Sequence, residues 1–229
     1  MTRRVILVRH GRTAWNGVDR AQGWADVPLD DVGRAQAESC APALADYGPT
    51  VLWSSDLERA RQTAAVIAAR VGLDVRHDER LREFDLGVRS GMLRSEFEAA
   101  YPAEYAAWIA GLDTPLVAGE ETTDEVAGRL AACWSDLMNT LPTGETALVV
   151  THGAALKVLT CVALGLPLEV RALLVGVGNC HWIELVETDA GDRFRLGAYN
   201  LCTPDFTSAE GVGEYLRVAA RHTGLWRSW

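Results

Sequence analysis

Short apolar runs alternate with capped helical stretches along the whole chain, and this alternation limits the fold more than any other feature. The runs cover residues 5–8, 50–53, 147–151, 180–186 and 194–199. Their length and aliphatic content suit strands. One helix is expected from near Asp30 to just before Gly48. A second begins after Ser55, with Glu58 completing an S-x-x-E capping box, and stops at Gly72. A third follows Thr122, where Glu125 repeats the box, and runs to about Thr140. A fourth, residues 154–164, ends at Gly165 with Pro167 beyond. Strand and helix in this order predict an α/β fold of three layers, α/β/α, around a mostly parallel central sheet. No repeat or low-complexity linker interrupts it, so residues 1–229 read as one domain.

In such a fold, chemistry collects at the carboxyl ends of the strands. His10 follows V-I-L-V there, and His152 follows A-L-V-V-T, each with glycine next. Arg59 falls in the first turn of the helix after residues 50–53, where free N–H groups and an arginine fork suit an anion. A lone strand-end histidine is usually a satisfied polar residue, and Arg59 and Arg61 alone could be solvated helix charges. Two histidines in one setting, one flanked by arginines, reverse that preference.

The chain carries a net charge of −9, which disfavours nonspecific attraction to nucleic acid and makes the cationic cluster Arg9, His10 and Arg12 stand out. No apolar stretch approaches the roughly 18 residues of a membrane span, and no secretion signal is evident. The odd count of five cysteines, without C-x-x-C spacing, suits reduced thiols in a cytoplasmic protein. The histidines lack H-x-x-x-H or H-x-H spacing, so His77, His181 and His222 are assigned to core or surface and no metal site or cofactor is expected.

The stretches "RHGRTAWN", "QGWADVPLDDVGRAQA", "SSDLERARQTA", "LREFDLG" and "VVTHG" occur in that order between Val5 and about Asn200. Together they resemble the histidine phosphatase superfamily, also called phosphoglycerate-mutase-like. The resemblance implies a phosphomonoester hydrolase acting through a phosphohistidine. His10 corresponds to the nucleophile and Glu83 to the proton donor; without the resemblance Glu83 reads as a loop glutamate. Arg9, Asn16, Arg59 and His152 correspond to the phosphate pocket. The chemistry is coherent, because a neutral imidazole can approach a phosphate dianion that would repel an anionic nucleophile, while arginines neutralise the equatorial oxygens.

Residues 88–118 are expected to form a helical lid. Its hinges depart from the superfamily pattern: "GVRSG" (residues 87–91) places Arg89 where relatives carry tryptophan, and "GEET" (residues 119–122) replaces G-G-E-S. Arg12, Gln22, Gly23, Trp24 and Arg89 are candidate substrate contacts. "GVGNCHW" and "RFRLGAYN" resemble actinobacterial phosphatases of glucosyl-3-phosphoglycerate, implying a sugar phosphate or phosphoglycerate derivative. Two alternatives stay open: a cofactor-dependent phosphoglycerate mutase, which the short stretch from Glu83 to His152 disfavours, and a noncatalytic phosphoprotein-binding module. The expected partner is a small phosphomonoester, with no nucleic acid and no membrane, and a homodimer is left open.

Overall fold

The computed structural model describes residues 2–113, 116–191 and 193–204. Six strands, β1 (Arg4–Arg9), β2 (Val51–Ser54), β3 (Val75–His77), β4 (Thr146–Thr151), β5 (Trp182–Glu187) and β6 (Phe194–Leu201), form one sheet in the order β3-β2-β4-β1-β5-β6. β3, β2, β4 and β1 are parallel, whereas β5 is antiparallel to both β1 and β6. The expected parallel sheet is present, with one reversed strand towards its margin. β3 was not anticipated: Val-Arg-His has a single apolar residue, and Arg76 and His77 are exposed at the sheet edge.

The helices are α1 (Asp31–Ala45), α2 (Glu58–Val71), α3 (Arg94–Ala100), α4 (Pro102–Ile109), α5 (Thr123–Thr140) and α6 (Gly153–Leu164). Alternate residues of β1 serve opposite faces, as the two-residue period of a strand requires. Ile6 and Val8 pack with Leu44 of α1 and Ile67 of α2, while Val5 and Leu7 pack with Leu130 of α5 and Leu156 of α6. These two cores make the three layers.

Asp30 caps α1 by accepting from Gly33 N at 2.8 Å, and Thr122 and Glu125 form the expected box on α5. The box expected at Ser55 does not form. α2 starts at Glu58, whose N–H is instead bound by Asp26 Oδ1 at 2.6 Å; Ser55 is drawn elsewhere by a histidine, as described below. Within residues 88–118, the segment expected as a lid, lie α3 and α4, and the two ends of that segment meet. Leu86 bridges Glu120, and Gly87 lies so close to the other hinge that a Cβ there would stand 2.1 Å from Ala118 O.

A similar approach fixes the turn after β1. A Cβ on Gly33 would sit 2.0 Å from Arg12 O, and one on Gly11 would sit 2.5 Å from Gly33 O. Backbone meets backbone, so no side chain can swing away to relieve the clash. Gly33→Ala is therefore expected to cost about 1–3 kcal/mol of stability, as overpacking does, and to lower the urea midpoint. An unchanged midpoint would show that α1 slides freely.

Candidate active site

β1, β2 and β4 lie side by side, so their carboxyl ends bring His10, Ser55 and His152 to one rim. His10 is buried, with its N–H bound to Thr151 O at 3.0 Å. Its Nδ1 lies 2.7 Å from Gly11 O. A carbonyl only accepts, so Nδ1 carries the proton and Nε2 keeps its lone pair. The His152 ring stands 5.1 Å away, centroid to centroid.

Arg59, in the first turn of α2, is 1% exposed. Its Nε donates to His152 Nδ1 at 3.1 Å, its Nη1 to Ala25 O at 2.8 Å and its Nη2 to Gly23 O at 2.7 Å. Because arginine can only donate, His152 must accept at Nδ1, which puts its own proton on Nε2. That proton goes to Ser55 Oγ at 2.8 Å. Ser55 was missed as a site residue because its role depends on a partner 97 positions away. Burial pushes the Arg59 pKa down to about 10.

Arg9 donates Nη1 to Val177 O at 2.7 Å, while its Nε is buried without a partner. Gly153 lies alongside it, where a Cβ would stand in ordinary contact, 3.4 Å from that Nε. Glu83 faces these cations from the start of α6. Its Oε1 accepts from Phe84 N at 3.0 Å and Ala155 N at 2.9 Å, and its Oε2 accepts from Ala154 N at 3.0 Å. Arg129 fixes this segment from behind, donating to the carbonyls of Arg80, Arg82 and Glu83.

Arg9, His10, Asn16, Gln22, Gly23, Arg59, Glu83 and Arg89 all line a cavity of about 490 Å³, which extends to α3 and α4. Asn16 Oδ1 accepts from Thr13 N at 3.0 Å, closing the turn and leaving the amide donors for the cavity. Arg89 lies over the rings of Phe97 and Trp108, at 4.4 and 4.3 Å, with Glu120 3.5 Å away. It ties α3 and α4 to the hinge. Three candidate site residues are not among the cavity-lining residues: His152, whose ring nitrogens meet Arg59 and Ser55, and two of the candidate substrate contacts. Arg12 is held by Asp30 through Nε at 2.9 Å, and Trp24 donates Nε1 to Glu83 O at 2.7 Å.

Both imidazoles titrate well below the ordinary 6.5, first because of burial and then because of Arg59. Below about pH 6.5 the unfolded chain takes up protons at both histidines while the folded chain does not. The unfolded state then binds more protons, so stability falls as pH falls, by up to about 1.4 kcal/mol per pH unit per histidine. Urea unfolding should show this decline between about pH 6.5 and the depressed folded-state values, and His152→Asn should make it shallower. Equal steepness in that variant would assign the effect to other groups.

Two neutral histidines among buried arginines, with unpaired donors facing a cavity, define a site for an oxyanion rather than a cation. Among the described residues, no three His, Cys, Asp or Glu side chains converge as metal ligands would. Residues 5–200 match the family model of the histidine phosphatase superfamily, branch 1, and the chain belongs to that superfamily. It is 36% identical over 217 residues to the glucosyl-3-phosphoglycerate phosphatase of Mycolicibacterium vanbaalenii, covering 86% of this chain and 94% of that protein. It is also 37% identical over 167 residues to the protein named "Probable phosphoglycerate mutase GpmB" of Salmonella paratyphi C, covering 71% of this chain and 75% of that protein. The solved structure of a mycobacterial glucosyl-3-phosphoglycerate phosphatase in complex with VO3 superposes with a TM-score of 0.80 at 33% identity, covering 87% of this chain and 99% of that one. Among the described residues, no helix is long and apolar enough to cross a membrane.

Proposed function

We propose that the protein hydrolyses phosphomonoesters through a phosphohistidine on His10, without a metal, and that its substrate is a small sugar phosphate or phosphoglycerate derivative. The observation that carries this reading is the Nδ1 contact to Gly11 O, which leaves a bare Nε2 on a residue that lines the arginine-walled cavity. Nε2 attacks phosphorus, and the P–O bond to the alcohol breaks in line. Arg9, Arg59 and Asn16 hold the equatorial oxygens, and His152 joins them when its Nε2–H turns from Ser55 Oγ to a phosphate oxygen.

The departing alkoxide takes a proton from Glu83. Its Oε2 receives one backbone N–H where Oε1 receives two, so Oε2 has the freer lone pair for that proton. Water then attacks the phosphohistidine, giving its proton to the Glu83 carboxylate. Phosphate leaves and His10 is neutral again. The names of the relatives support the substrate class, and the cavity volume fits a small metabolite.

Hydrolysis of nitrophenyl phosphate, with release of inorganic phosphate, is expected to persist after exhaustive chelation. Activity lost to EDTA and restored by zinc or magnesium would overturn the metal-free mechanism.

A further inference from the structure

Beyond the phosphate end, the cavity is bounded by α6 and by the 3-10 turn Leu168–Leu173. Lys157 lies on α6 three residues after Ala154, about 4.5 Å further along the helix axis, and lines the cavity. It is partly buried and, among the described residues, makes no hydrogen bond or ion pair with a carboxylate. Arg171 faces the same space from the turn. One of its nitrogens is bound to Asp113, but its Nε is buried with no hydrogen-bond partner among the described residues.

Among the described acidic groups of the cavity wall, Asp113 binds Arg171 and none forms an ion pair with Lys157. Glu120 faces Arg89, Glu121 is held by Arg129 and by Asp85 N, and Glu104 forms no ion pair with Lys157. Burial and the neighbouring Arg171 also press on the Lys157 ammonium, lowering its pKa. With Asp113 spent on Arg171, the partly dehydrated Lys157 ammonium beside that guanidinium is a cost that a bound anion would reduce.

We infer that Lys157 and Arg171 form a second anion subsite, which receives a carboxylate-type group on the alcohol part of the phosphomonoester. The inference rests on the hydrolase reading for its first subsite. A carboxylate a few atoms from the ester oxygen would reach Lys157 while the phosphate lies at His10. The subsite then selects phosphorylated hydroxy acids over phosphorylated polyols of the same size.

The test compares 3-phosphoglycerate with glycerol 3-phosphate, in which a hydroxymethyl replaces the carboxylate. Calorimetric binding to the His10→Ala protein, which on the proposed mechanism cannot turn either over, should favour 3-phosphoglycerate. Lys157→Met should weaken that ligand by about 10- to 100-fold, the effect of losing a charged hydrogen bond. It should leave glycerol 3-phosphate nearly unchanged, and Lys157→Arg should restore much of the preference. With His10 intact, the same selectivity should appear in KM more than in kcat. Equal binding of the two ligands, or equal weakening of both by Lys157→Met, would overturn the subsite. A lysine-dependent preference in a protein that never forms phosphohistidine would support the subsite and remove the hydrolase mechanism instead.

Discussion

His10→Ala is expected to abolish turnover, and a rapid non-acid quench of the parent protein with labelled substrate should trap up to one phosphate per chain on His10. The adduct should be acid-labile and stable to base, as a phosphoramidate is. The loss should be close to complete because water lacks the placement that the Gly11 contact and the β1 end impose on Nε2. His152→Ala should be milder. The adduct can still form, but one oxyanion donor is gone and Arg59 Nε loses its acceptor. Steady turnover by the His10→Ala protein, or label recovered only on serine or aspartate, would refute the covalent mechanism.

Glu83→Gln should slow alkyl phosphates by about 10²- to 10⁴-fold, the usual contribution of a general acid, while nitrophenyl phosphate suffers far less. A nitrophenolate leaves without a proton; an alkoxide does not. The aryl ester also serves as a control for structure, because Glu83 binds two N–H groups at the start of α6. Glutamine would turn one N–H donor towards those donors, and any displacement of the helix should reduce both substrates together. Equal losses would therefore make Glu83 a positioning residue rather than the acid.

Local pattern was enough wherever a few consecutive residues decide the conformation. The Thr122–Glu125 box and the glycine stops at Gly72 and Gly165 were legible because capping is settled within one turn, both glycines adopting the left-handed conformation with φ of 71° and 64°. The strand runs around His10 and His152 were legible because a buried parallel strand must be continuously apolar. Local pattern misled where a side chain had a better distant partner. Ser55 reads as a cap, yet its hydroxyl meets His152.

The sequence by itself determined the layered α/β order, the placing of two histidines at strand ends and the family. Only the tertiary structure decided the remainder. It reversed β5, paired Arg59 with His152, set the Glu83 carboxylate against the first N–H groups of α6, and placed Lys157 on the same cavity as Arg171 with no carboxylate bound to that lysine among the described residues. The reason is range. Apolar period and capping act over a few residues, whereas tautomer, burial and charge balance depend on groups that meet only when strands far apart in sequence become neighbours.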